Sequence, residues 1–187
     1  MQNIVILSAS VRTGRRSHRL ALYFSNYISE HKLAVVEIVD LNEWDFPLFN
    51  ERLKYQDDPS ESAKKFSAKI RSADGIIIVT PEYNGGYPAS LKNVVDLLYD
   101  EWYKKPIGIC TVSSGDFGGQ QVLVSLQFTL WKMKAWTIPA MFPVPKVQDH
   151  FEENGVPLDK ESTDKKAAAF MKELQWCMTA NMRMKEE

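Results

Sequence analysis

The chain has 187 residues, of which 44% are hydrophobic and 25% charged, with 23 Lys plus Arg against 24 Asp plus Glu and a formal net charge of −1. That length suits one domain with a sizeable core, the composition excludes a disordered or collagen-like chain, and the balanced charge leaves no polybasic footprint for nucleic acid or membrane. No apolar run approaches the roughly 18 residues of a membrane span. The run opening at Ile4 is too short for the core of a secretory signal, and Cys110 and Cys177 belong to no Cys-x-x-Cys or Cys/His cluster. A cytoplasmic, reducing compartment with no disulfide and no metal site is the expectation.

Residues 3–8 read as a first strand and 17–30 as the helix after it, where Leu20, Ala21, Phe24, Tyr27 and Ile28 recur at helical spacing and leave one polar face. A strand over 34–41 and a helix over 59–72 follow, then a strand over 75–80 and a helix over 88–100. Pro59 and Pro88 fall at or near first helical turns, where a missing N–H is tolerated. The fourth strand covers 107–112, the fourth helix 119–132, the fifth strand 134–138 and the last helix 162–182, with the proline-rich 139–145 and the polar 148–161 as loops. Ile76, Ile77, Ile78 and Val79 are consecutive rather than alternating, as in a central strand covered on both faces. This α/β alternation predicts a three-layer sandwich around a doubly wound, five-stranded parallel sheet, in a single domain spanning 1–187. Such sheets bind ligands at the carboxyl ends of their strands, so function is sought in the loops after strands one, three and four.

The first of these loops, 8–18, is dense in hydroxyls and guanidinium groups and leads into a helix start, which makes it a natural anion site. It lacks Gly-x-x-x-x-Gly-Lys-Ser/Thr and Gly-x-Gly-x-x-Gly, which disfavours a bound ATP or a Rossmann-style NAD. The second, 80–93, has its backbone path fixed by Pro81, Gly85, Gly86 and Pro88, so that main-chain groups can address the edge of a flat heterocycle, with Tyr83 and Tyr87 as aromatic contacts. In the third, 113–119, small residues allow a ring to approach the backbone closely, although ordinary turns use the same residues.

Pro81-Glu82-Tyr83-Asn84 followed by Leu91-Lys92-Asn93 resembles the flavin-ring loop of the NADPH-dependent FMN reductases, a family of flavodoxin-like fold that includes quinone, azo-dye and chromate reductases. Ser10-x-Arg12-x-Gly14-Arg15-x-Ser17 is similar to their phosphate loop, Ser113-Ser114-Gly115 with Gly118-Gly119 to their third loop, and 151–158 to an acidic segment before their last helix. The resemblance runs over nearly the whole chain. It implies a noncovalent FMN whose phosphate is held by Ser10, Arg12, Ser17 and His18. Ala9 stands where the family has glycine, and His18 or Arg19 where many members have asparagine, so Arg15 and Arg16 stand as alternative phosphate ligands. Pro81, Glu82, Tyr83, Asn84, Ser113, Ser114 and Gly115 would hold the ring, with Gly118 of the third loop also counted among the cofactor-binding residues.

The activity so implied is oxidation of NADPH or NADH, with electrons passed to small-molecule acceptors such as quinones, azo compounds, free flavin or metal oxyanions. A flavin carries the redox chemistry itself, so no catalytic acid or base is assigned, and His18, His31 and His150 form no triad or metal constellation. A flavodoxin-like FMN electron carrier without nicotinamide-oxidising activity is the alternative; the 81–84 motif and the balanced charge favour the reductase.

The helices after strands three and four carry more apolar residues than one buried stripe needs. One has Leu91, Val94, Val95, Leu97, Leu98, Tyr99, Trp102 and Tyr103, and the other Val122, Leu123, Val124, Leu126, Phe128, Leu130, Trp131 and Met133. A homodimer or homotetramer assembled through these helices is expected, with Leu126 and Trp131 at its contact. It would wall the flavin at the subunit boundary, as the resemblance implies.

Overall fold

The computed structural model describes residues 1–186. Its sheet comprises β1 (Asn3–Ser8), β2 (Val35–Asp40), β3 (Gly75–Pro81), β4 (Pro106–Val112) and β5 (Trp136–Val144), all parallel in the order β2-β1-β3-β4-β5. The connecting helices are α1 (His18–Glu30), α2 (Glu61–Ser72), α3 (Ala89–Leu97), α4 (Gln120–Lys132) and α5 (Lys160–Glu186). The pleat sends alternate residues of each buried strand to opposite faces. Ile4, Ile6, Ile77 and Val79 pack with α1 and α5, whereas Val5, Leu7, Ile76 and Ile78 pack with α2, α3 and α4. This is the three-layer sandwich that the alternation predicts.

Gly108 on β4 faces α5 at a point where a Cβ would stand 2.4 Å from the ring of Phe170, so only glycine lets the helix seat there. No helix among the described residues is long and apolar enough to cross a membrane.

Most boundaries shift by one or two residues, as where α2 starts at Glu61 instead of residue 59, and three elements differ in ways that have a physical reason. β5 runs through the proline-rich segment to Val144 instead of stopping at residue 138. It is an edge strand, paired with β4 alone across a register shift between Ile107 and Ile109, and an edge tolerates the missing N–H of Pro139 and Pro143. α3 ends at Leu97 instead of residue 100, because Leu98 is extended and the chain turns so that the buried Trp102 donates its Nε1–H to the Val95 carbonyl at 3.1 Å. α5 begins two residues earlier than expected and runs further, its first turn capped by Asp159 Oδ1, which accepts the Ser162 N–H at 3.0 Å.

The apolar excess of the two central helices is also smaller than it reads. Leu91, Val94, Val95, Leu97, Leu98 and Trp102 are all buried against the sheet, as are Val122, Leu123, Leu126 and Leu130. Leu126 therefore belongs to the core of the chain itself. What remains outside on α4 is a narrower stripe: Val124, Phe128 and Trp131 are 68%, 62% and 65% exposed.

Between β1 and its neighbours the connections leave in opposite directions, first outward to β2 and then back across to β3. That reversal opens a crevice at the carboxyl ends of β1 and β3. The loop after β4 borders it because β4 lies beside β3.

Candidate functional site

A cleft of about 310 Å³ lies at this switch point. Its walls are Ser10, Arg12, Gly14, Arg15, Arg16 and Ser17 from the first loop, Pro81, Glu82 and Tyr83 from the second, Val112, Ser113 and Ser114 from the third, and Val147 beyond β5. A larger hollow of about 400 Å³ lies under the 44–60 segment, but its charged lining residues, Glu51, Asp57 and Asp58, are acidic, so it is no anion site. The arginine-rich cleft has the opposite character.

The first loop is built around Ser10, which is fully buried. Its Oγ shares a hydrogen bond of 2.7 Å with the Tyr83 hydroxyl and accepts the Arg12 N–H at 3.4 Å, while its carbonyl accepts Arg15 Nη1 at 2.7 Å. Arg15 reaches past Ser10 to Asp40, pairing both of its terminal nitrogens with the two carboxylate oxygens. Among the described residues neither Arg12 nor Arg16 has a carboxylate partner, which leaves the cleft with uncompensated positive charge.

Ser17 ends the loop and stands just before α1. It is 2% exposed, and its Oγ has no hydrogen-bond partner among the described residues. Nor does it cap the helix: its backbone is already helical, no side chain caps the first turn, and that turn holds no acidic residue. Donors at a positive dipole end thus meet a buried hydroxyl with nothing to bond, an arrangement that an anion completes.

The second loop leaves β3 with the Glu82 N–H still donating to Val112 on the neighbouring strand at 3.2 Å. The Glu82 carboxylate then turns away and accepts the N–H groups of Gln121 and Val122 at 3.0 and 3.1 Å. It caps α4, a task no local side chain can perform because Gly119 occupies the N-cap in the left-handed region at φ 77°. Tyr83 and Gly86 exchange backbone hydrogen bonds of 2.8 and 3.0 Å around Asn84 and Gly85, whose φ values are 53° and 78°. This is the positive-φ pair of a type I′ turn, so Asn84 shapes the loop by tolerating that conformation.

In the third loop Ser113 Oγ donates to the Gly115 carbonyl at 2.8 Å and accepts the Gly118 N–H at 3.0 Å, and Thr111 Oγ1 donates to the Gly118 carbonyl at 2.6 Å. Ser113 and Ser114 line the cleft.

Of the residues singled out in sequence, Ser10, Arg12, Arg15, Ser17, Pro81, Glu82, Tyr83, Ser113 and Ser114 come together around one cavity. His18, Asn84, Gly115 and Gly118 do not line it. His18 faces away, its Nδ1 3.0 Å from Ser8 Oγ and 3.4 Å from Asp40 Oδ2. Burial lowers its pKa; Asp40 opposes that shift and Arg15 adds to it. Asn93 also lies elsewhere, holding the 44–60 segment by accepting the Phe49 N–H at 2.6 Å and donating to the Pro47 carbonyl at 2.9 Å. Val112 and Val147 line the cleft without any motif to announce them; Val147 arrives there only because β5 is longer than its apolar run.

Residues 2–149 match the family model of NADPH-dependent FMN reductase. The chain is 34% identical over 142 residues to an NAD(P)H-dependent FMN reductase of Schizosaccharomyces pombe, covering 74% of this chain and 70% of that protein. It is 34% identical over 123 residues to a quinone reductase of Pseudomonas putida, covering 63% of each. Among solved structures, a flavoenzyme NAD(P)H:(acceptor) oxidoreductase from Paracoccus denitrificans has the same fold, with a TM-score of 0.78 at 20% identity over 96% of this chain and 98% of that one.

Proposed function

Because the chain belongs to the NADPH-dependent FMN reductase family and is an FMN-dependent NAD(P)H oxidoreductase, we propose that the cleft at the switch point is its FMN site, with the phosphate in the first loop. The observation that carries this reading is Ser17: a buried hydroxyl at an uncapped helix start, without a partner among the described residues and beside two arginines that have no carboxylate among them. The donor set suits a phosphate dianion, with Ser10 and Ser17 supplying hydroxyls and Arg12 and Arg16 supplying charge. Pro81–Tyr83 and Ser113–Ser114 then border the ring, and their rigid backbone presents N–H and C=O groups to its edge.

Held there, FMN would supply the redox chemistry that links nicotinamide to acceptor. The protein's own part is placement and access. The hydrogen bond between Tyr83 and Ser10 and the cap that Glu82 places on α4 hold the three loops at fixed spacing. Neither His18, turned to Ser8 and Asp40, nor His31, stacked on Tyr27 with ring centroids 4.2 Å apart, lines the cleft. Small quinones are the acceptor class that similarity to the quinone reductase supports, with azo compounds, free flavin and metal oxyanions as further acceptors, and NADPH or NADH as donor.

The exposed stripe of Val124, Phe128 and Trp131 supports assembly as a homodimer, or a tetramer built from it, through α4. The two buried, free cysteines support a cytoplasmic compartment as part of this reading. The test is a visible absorption spectrum of the purified protein followed by anaerobic titration with NADPH and NADH. A yellow protein that bleaches within seconds supports the reading. A colourless protein that fails to take up FMN overturns it, and slow or absent bleaching makes the protein an electron carrier.

A further inference from the structure

Asp40 closes β2 beside the first loop and is buried. Both of its carboxylate oxygens receive the Arg15 guanidinium. Oδ1 also accepts the Asn42 N–H at 3.1 Å, and Oδ2 lies 3.4 Å from His18 Nδ1. Arg15 in turn donates from Nη1 to the Ser10 carbonyl at 2.7 Å. A planar guanidinium gripped in two-point fashion cannot swing toward a ligand without breaking both contacts, and its charge is already matched.

This arrangement separates two roles that an arginine in a phosphate loop can play. If Arg15 met the phosphate directly, Asp40 would weaken the site by neutralising it. If Arg15 is instead a strut beneath the Ser10 carbonyl, Asp40 strengthens the site by holding the strut in place. Arg12 and Arg16 line the same cleft without carboxylate partners among the described residues, so the free charge is theirs.

We propose that Asp40 is a positioning residue for the first loop: it locks Arg15 under Ser10, leaving direct contact with the phosphate to Ser10, Ser17, Arg12 and Arg16. The proposal rests on the assignment of the cleft to the FMN phosphate. It gives the last residue of an ordinary strand a part in cofactor affinity, although its carboxylate reaches the cleft only through another side chain.

The test measures dissociation constants of FMN and of riboflavin, which lacks the phosphate, by flavin fluorescence quenching on the full chain freed of flavin. Asp40→Asn should weaken FMN binding by about tenfold while changing riboflavin binding less than about twofold. Tighter FMN binding in this variant would make Arg15 a direct ligand and overturn the proposal, and equal losses for both flavins would reduce Asp40 to a structural residue. Arg15→Lys, which keeps the charge but not the fork, guards against a misfolded first variant: it should show the same FMN-selective loss, and wild-type FMN affinity there would remove the strut. A wild-type chain that binds riboflavin as tightly as FMN would instead refute the phosphate assignment, and the proposal with it.

Discussion

Tyr83 and Ser10, 73 residues apart in sequence, share a hydrogen bond of 2.7 Å that closes the second loop onto the first at the mouth of the cleft. Ser10 is buried, so its Oγ depends on this partner and on a longer contact from Arg12 N–H. Tyr83→Phe should cost about 0.5 to 1.5 kcal/mol of stability, the net worth of one neutral hydrogen bond, and lower FMN affinity as the two loops lose their tie. Fluorescence titration checks this; unchanged affinity would mean that the loops hold their spacing without the phenol.

Glu82 reaches the N-terminus of α4 from another loop, and its removal leaves two N–H groups without an acceptor. Glu82→Ala should cost about 0.5 to 2 kcal/mol of stability, as for loss of a helix cap, and flavin retention should fall with it. Glu82→Gln keeps one acceptor oxygen and should recover part of both. Urea unfolding of the two variants beside wild type gives the comparison.

Arg12→Ala removes an uncompensated charge from the cleft and should weaken FMN binding by about 1.5 to 3 kcal/mol. Because the phosphate positions the cofactor and takes no part in electron transfer, the variant refilled at high FMN should oxidise NADPH at close to the wild-type rate. A variant that keeps its flavin but loses turnover would contradict this division of labour.

His18 links the loop to pH. Burial lowers its pKa from the ordinary 6.5, with Asp40 opposing and Arg15 assisting, so the unfolded chain binds this proton more readily than the folded one. Stability from the neutral ring is complete above 6.5 and is lost as pH falls through the lower folded value. His18→Gln should flatten the acid limb of the stability curve in that window. Urea midpoints that keep the wild-type slope in the variant would assign the acid limb to other groups.

On α4, Phe128 and Trp131 pack ring to ring at 5.8 Å on the outside of the molecule. Lysine at either position should shift the sedimenting species from dimer to monomer while leaving the fold intact. Leu126→Lys places a charge in the core and should unfold the chain instead. A wild-type protein that sediments as a monomer at micromolar concentration would refute the interface.

The sheet was readable because the central strands are continuous apolar runs, as with Ile76, Ile77, Ile78 and Val79, and burial on both faces permits no other pattern. β5 was half-hidden because an edge strand can hold prolines that a central one cannot. The cleft was readable from loop composition, since hydroxyls and guanidinium groups at a strand end have few other uses. Composition does not say which of those groups face inward. Arg15 is committed to Asp40 and Glu82 to α4, and His18 turns to Ser8; each partner is set by tertiary packing across 10 to 40 residues. Ser113 and Asn84 look like ligand contacts in sequence, yet Asn84 shapes its turn without lining the cleft, and Ser113 both lines the cleft and braces its own loop.

Gly108 leaves β4 bare where Phe170 lies, and Ala167, Met171, Leu174, Cys177 and Met178 continue the cover that this ring begins. All of them come after residue 149, where the match to the family model ends. The stretch that marks the family and the length of chain that can fold are therefore different things. A fragment trimmed at the family boundary would still contain every cleft residue, the last being Val147, but it would expose the β4 face that α5 covers. Such a fragment should aggregate on expression, whereas supplying residues 150–187 as a separate peptide offers a route to restoring both solubility and flavin uptake.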